Sequence, residues 1–353
     1  MTGVTHIGDY GEIGGSNASP AIQAMINTVG YFTLPVGTFQ CQDTIVIPAS
    51  STKSLGSLFS GHGRERSRLV ASGMAGASLI KSAPGGYQRL TMRDFALSGD
   101  ADTALDLRVG LQLYKSHFTD MDLASKAGPA MLTDNVFSTS WESCSFSSDL
   151  GNAFESPGGN TVMLSNCYAH KCGPDKAGYR ITGRALLVSC NGMDMVGSGH
   201  FWGHFGRPDG YYSVALTHCN IEDFGSAGLL LEGLGGRLKL DGVSFVAPHT
   251  GQYETCIKGI GGSKAHNIMI DHMTTVGSNG ATRSGLSNIV LPGANNIIAL
   301  NNTLSGETGQ FIDYRNTIYD ITYPIPTLTM AAGTYGQTDL KVNRLKAGVV
   351  SAP

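Results

Sequence analysis

Short apolar stretches that recur about every 25 residues, abundant glycine and few charges predict an all-β chain. The fold class they point to is a right-handed parallel β-helix with an N-terminal capping helix and a short C-terminal extension. Glycine fills 48 of 353 positions, about twice its usual share of ~7%. Charged residues are 14% of the chain, against roughly 25% in an average soluble domain. The repeat is carried by "MRDFALS" (92–98), "FTDMDLA" (118–124), "WESCSFS" (141–147), "LSNCYAH" (164–170), "VSCNGMD" (188–194), "LTHCNIE" (216–222), "LDGVSFV" (240–246) and "IDHMTTV" (270–276), with a weaker copy from Leu300. Successive starts differ by 26, 23, 23, 24, 28, 24, 30 and 30 residues, a period that marks a repeat architecture.

The N-terminal segment, 1–60, reads as the cap. In "SPAIQAMINTVG" (19–30), Ser19 is placed as the N-cap, Pro20 at the first helical position and Gly30 as the stop. Ile22, Met25, Ile26 and Val29 fall on one apolar face. Such a helix can cover the end of a stack whose last strands would otherwise expose unpaired edges.

The β-helix proper is assigned to 61–321. Each copy begins with an apolar residue, passes a polar or small third position, and then alternates again. Period-2 stretches this short are strands, not helices, so the copy reads as strand, corner, strand. One turn cannot bury its apolar face alone, whereas a stack can. Cys144, Cys167 and Cys219 share an inward position, so they read as small buried hydrophobes. Seven cysteines without a CxxC pair point to free thiols, and neither their spacing nor their histidine partners suit zinc. Residues 322–353 leave the pattern and read as a C-terminal cap or trimer contact.

The net charge of −3 argues against nucleic acid and anionic membranes as partners. No apolar run approaches the roughly 18 residues of a membrane span. The N-terminus lacks the basic and apolar regions of a signal peptide, so synthesis is expected in a cytoplasm. No cofactor and no metal site are expected.

"AIQAMINTVGYFTLPVGTF" (21–39) followed by "LFSGHGRERSRLVASG" (58–73) resembles the opening segment of the pectate-lyase-like β-helix superfamily. The matched parts are the capping helix, the Leu34–Phe39 turn and Gly61-His62-Gly63. The acidic cluster usual just before the helix is replaced by "GGSNASP". With the repeats, the resemblance covers about residues 4–310. Its nearest members are phage tailspikes that degrade capsule or O-antigen. The resemblance implies a homotrimer acting on a bacterial surface polysaccharide, located in the virion tail and joined to other tail or baseplate proteins. No particle-binding head precedes the helix, which suggests a trimmed spike or one attached through another protein. Gly61-His62-Gly63 also resembles a polygalacturonase motif. The paired-aspartate and Arg-Ile-Lys motifs that accompany it there are absent, so His62 is assigned to the turn.

The candidate site is read from outward positions. The seventh position of three consecutive copies carries His170, Asp194 and Glu222, with Tyr168 and Asn220 upstream on the same strands. Outward strand positions are polar in any case. Two stacked acids on adjacent strands are destabilising, however, and paired carboxylates are what glycoside hydrolysis uses. Glu222 is assigned as general acid, Asp194 as nucleophile or base, and His170 as an orienting group or as the base of a lyase. The stretch after Asp194 reads as a long loop carrying Trp202, His204, Arg207, Asp209, Tyr211 and Tyr212, whose flat aromatic faces suit sugar rings. Lys171 and Arg180 add cations suited to an acidic sugar. Asp241 and Asp271, at the second position of successive copies, form a second-ranked pair. A polysaccharide lyase and a non-catalytic binding spike or adhesin stay open beside the hydrolase.

Overall fold

The computed structural model of the chain describes residues 7–48, 56–108, 112–192 and 200–246 continuously. Beyond these it describes 251–253, 255–260, 266–276, 281–283, 287–290, 293–300, 303–305, 310–313 and 317–319. The fold is the right-handed parallel β-helix that the repeat implies. It divides into two compact units, Met1–Arg180 and Ile181–Pro353.

In the first unit, three sets of strands stack in parallel, and one inward residue per turn builds each column. Before the corner the column runs Phe32, Phe59, Met92, Phe118, Trp141, Leu164, each in register with the next. After the corner it runs Phe39, Leu69, Leu97, Leu123, Phe146, Ala169. A third column runs Ile45, Ile80, Leu105, Met131, Phe154. All of these side chains are buried. Burying each large member is worth about 1.5–3 kcal/mol. The rings also order one another: Phe118 and Trp141 stack at 5.1 Å and 6°, and Phe154 meets Trp141 edge-on at 5.1 Å.

The corner explains the polar third position. Asp94, Asp120, Ser143 and Asn166 in the first unit, and Ser189, His218, Gly242 and His272 in the second, all have φ between 50° and 63°, apart from Asp120 at 49°. Gly, Asn, Asp and a few other small polar residues tolerate this left-handed region best. The corner amides extend the ladder through the bend. Asp94 N–H donates to the Thr119 carbonyl, Asp120 to Glu142, Ser143 to Ser165, His218 to Asp241 and Gly242 to Asp271, at 2.8–3.2 Å.

The helix forms over Ser19–Val29, with its Gly30 stop at φ 77° and the Gly30 N–H on the Ile26 carbonyl. The N-cap position is Ala18, not Ser19. Ser19 is drawn inside because its hydroxyl donates to the Asp43 carbonyl at 2.9 Å and accepts the Asp43 N–H. Asn17 Oδ1 takes the Ser19 N–H instead. Ile22, Met25 and Ile26 are buried, while Val29 is half-buried. Gln23 completes the cap: its amide donates to the Val46 carbonyl and accepts the Val46 N–H, at 3.0 and 2.7 Å. One side chain thus pairs the edge of the strand Ile45–Ile47 as a further strand would. Gly61-His62-Gly63 serves the turn. A Cβ at Gly61 would lie 2.3 Å from the Asp94 carbonyl oxygen, and the His62 N–H donates to Ser67 Oγ.

The second unit repeats the scheme, with Leu187, Leu216, Leu240 and Ile270 in register before the corner and Gly192, Ile221, Phe245 and Thr275 after it. This corrects the alignment of two copies by one residue. The copy read from Val188 begins at Leu187, and the copy read from Leu300 begins at Ala299, opposite Ile270. The run Leu186-Leu187-Val188 offers two phases to an apolar count. The corner at Ser189 and the buried Cys190 fix the phase. Residues 322–353 lie outside the described residues.

Candidate functional site

In the first unit, His170 follows Tyr168 on the strand Tyr168–Lys171, and the two rings stack at 5.6 Å. The pairing shifts here: Phe146 faces Ala169 but Ser147 faces Lys171, so His170 is the extra residue of a bulge. Lys171 Nζ lies 2.5 Å from Asp149, which Lys126 also contacts at 2.5 Å. Those two ammonium groups hold the Asp149 carboxyl below its ordinary range. Lys171 is therefore engaged in a surface ion triad. Arg180 is half-buried.

In the second unit, Glu222 ends the strand Asn220–Glu222 on its outer face, half-buried, and Asn220 Nδ2 donates to its carboxylate, fixing its orientation. Asp223 follows at φ 52° and makes the turn. Asp194 lies outside the described residues. The described pairing of the preceding strand, Asn191–Gly192, with Asn220–Glu222 ends at Gly192 opposite Ile221.

From Phe201 onward the stretch forms strands, Phe201–Gly206 and Tyr211–Thr217, where the sequence suggested one long loop. The gap between copies holds the remaining strands of the turn, whose sequences do not repeat. Trp202 is 0% exposed and Tyr212 3%. Both are core residues with no face open to a sugar, and burial drives the Tyr212 hydroxyl upward in pKa. Tyr211 is 63% exposed. Arg207 and Asp209 pair with each other at 3.2 Å. His204 Nε2 lies 2.8 Å from Glu232, with both side chains mostly buried. Glu232 has no counterpart in the repeated heptads and could not be found from them.

Asp241 and Asp271 are direct cross-strand partners on an outer face. With His272 they offer three ligand atoms all within 4.8 Å of one another. His272 Nδ1 lies 2.9 Å from Asp271 Oδ1, and Lys239 Nζ lies 3.8 Å from Asp241. Both carboxylates are half-buried. The second-ranked pair is thus the one the structure brings together among the described residues. Its neighbours, a lysine and a histidine, set the two acids in different surroundings. No helix among the described residues is long and apolar enough to cross a membrane.

No family model matches the chain, and no curated protein sequence does. Solved structures do resemble it. DFA-IIIase from Arthrobacter chlorophenolicus A6, without its lid and in complex with GF2, aligns with a TM-score of 0.66 at 13% identity, covering 98% of this chain and 99% of that one. ORF18 of Geobacillus virus E2 aligns at TM-score 0.60 and 13% identity over 86% of this chain. The gp42 tailspike of Acinetobacter phage vb_AbaP_AS12 aligns at 0.55 and 11% over 87%. The chain spans 62% and 59% of those two phage proteins. At such identities the likeness is one of fold, and the tailspike resemblance read from the sequence holds at that level.

Proposed function

We propose that this chain is a tailspike-type depolymerase that cleaves a bacterial surface polysaccharide, capsule or O-antigen, by hydrolysis between two carboxylates. In this reading it works as a homotrimer in a phage tail, at the outside of the host cell. The observation that carries it is the in-register pair Asp241 and Asp271 on an outer face. Like charges directly opposite each other on adjacent strands cost stability, so the pairing calls for a reason other than folding. One oxygen of each lies within 4.8 Å of the other, nearer the roughly 5–5.5 Å of retaining glycosidases than the 6.5–9.5 Å of inverting ones. Asp241, beside the Lys239 cation, is cast as nucleophile at the anomeric carbon. Asp271 donates its proton to the leaving oxygen and then takes one from the water that releases the sugar.

A second pair, Asp194 with Glu222, is proposed on the same chemistry, with Glu222 as acid, Asp194 as nucleophile or base and His170 orienting substrate. What favours it is the fixed orientation of Glu222 under Asn220. A lyase is the alternative reaction, and a binding spike without turnover the alternative class.

Incubation with a panel of capsules and lipopolysaccharides, read by product mass, tests the reading. Products heavier by one water mean hydrolysis, and unsaturated products mean elimination. Asp241→Asn and Asp271→Asn should each lower turnover by about 10² or more without unfolding the protein. Equal losses confined to Asp194→Asn and Glu222→Gln would move the chemistry to the second pair. No product from any polymer would leave the binding spike.

A further inference from the structure

The outer face of the second unit carries a trough beside Asp241 and Asp271. Its rows follow from the register. Arg184, Ser213, Arg237 and Asn267 form one row, Leu186, Ala215, Lys239 and Met269 the next, and Thr217, Asp241 and Asp271 the third. The column Ser213, Ala215 is small, while the columns on either side are long. A missing side-chain layer over one strand, banked by long neighbours, makes a groove. An open depression of about 370 Å³ lies there, lined among others by Ser213, Ala215, Arg237, Lys239, Asn267 and Met269.

The lining holds two cations and no carboxylate. Arg237 and Lys239 are exposed, as is Arg184 on the bank. Among the described residues neither Arg184 nor Arg237 has a carboxylate partner, and Lys239 meets only Asp241, at 3.8 Å. Unpaired guanidinium groups facing each other across a groove suit carboxylates, which they take bidentately. Leu186 on one bank and Met269 one strand beyond the other, each 39% exposed, add apolar surface, which fits the C–H faces of a sugar better than a bare polyanion.

We propose that this trough binds an anionic, carboxylate-bearing polysaccharide, with Arg237 and Arg184 gripping acidic residues of the chain and Asp241–Asp271 at its end. The proposal rests on the reading of the protein as polysaccharide-acting and names the substrate class of that site.

The test is binding of the full-length protein to polygalacturonate, alginate and hyaluronan, and to carboxyl-reduced polygalacturonate, by affinity electrophoresis at low and high salt. At least one of the three polyanions should retard the protein at low salt, with retardation falling at high salt. Arg237→Ala and Arg184→Ala should each weaken that binding by tenfold or more. Ala215→Phe, which fills the floor without touching charge, should do the same. Melting temperature and light-scattering mass should stay as in the wild type. If polygalacturonate is among the ligands, its reduced form should bind at least tenfold more weakly. Failure of all three polyanions to bind, or binding indifferent to these substitutions, overturns the proposal. A changed mass in the arginine variants overturns it too, since the face would then be a contact between copies of the chain. Polyanion binding by a protein that yields no product from any capsule or lipopolysaccharide would sink the depolymerase reading and leave the trough. Cleavage of a neutral glycan with no polyanion binding would sink the trough alone.

Discussion

The fourth position of each repeat points into the core. It holds Phe95, Met121, Cys144 and Cys167 in one unit and Cys190, Cys219, Val243 and Met273 in the other, all buried. Sulfur-bearing and apolar side chains fill the position in every copy. Cys144 and Cys167 lie within hydrogen-bond reach of each other, as do Cys219 and Cys190. Burial pushes the Cys144 thiol well up, while the Cys190 contact draws the Cys219 thiol down. Burial likewise raises Cys172 to about 12 and Cys41 to about 11. All seven cysteines are free and buried. In the native protein at pH 8, a thiol reagent such as Ellman's should titrate none of them within minutes. All seven should react in guanidinium. Two or more reacting natively would contradict the inward column.

At the scale of the element, each strand set is held by its column and by few charges. Trp141 is the largest buried side chain of the first unit, lying between Phe118 and Phe154. Trp141→Ala should cost about 3–5 kcal/mol, measured by denaturant unfolding, with Trp141→Phe costing less. The triad of Lys126, Asp149 and Lys171 ties neighbouring turns at the surface. Its carboxyl is depressed by the two lysines. A depressed carboxyl contributes stability that is fully present above the ordinary carboxylate value, about 4, and is lost as pH falls through the folded value. The melting difference between wild type and Asp149→Asn should therefore be constant from pH 7 to about 5. It should close below about pH 4. A difference that widened on acidification would contradict the sign.

At the scale of the molecule, the helix and Gln23 close one edge of the stack at the N-terminal end. The proposed homotrimer is tested by light scattering on the purified chain. A mass near three times 37.0 kDa is expected, and a stable monomer would refute it and confine any site to one subunit. Gln23→Ala should leave the Val46 N–H and carbonyl without their side-chain partner. The expected result is faster amide exchange around Ile45–Ile47 with little change elsewhere.

The apolar heptads and their spacing determined the fold class. One inward residue per turn, repeated, has no other way to bury its face, and the polar third position follows from a corner that needs positive φ. The capping helix was legible for the same reason, from its periodic face and its Gly30 stop. The site was less legible. Trp202 and Tyr212 were read as sugar platforms because aromatic type says nothing about the side of a strand, and a strand flipped by one residue reverses every face. The phase of the copy at Leu187 was ambiguous within three consecutive apolar residues, and only pairing with Leu216 chose it. Asp241 and Asp271 were visible as a pair. The trough beside them was not, because Ser213, Arg237 and Asn267 are far apart in sequence. Small and long side chains become a groove only when stacking sets them side by side.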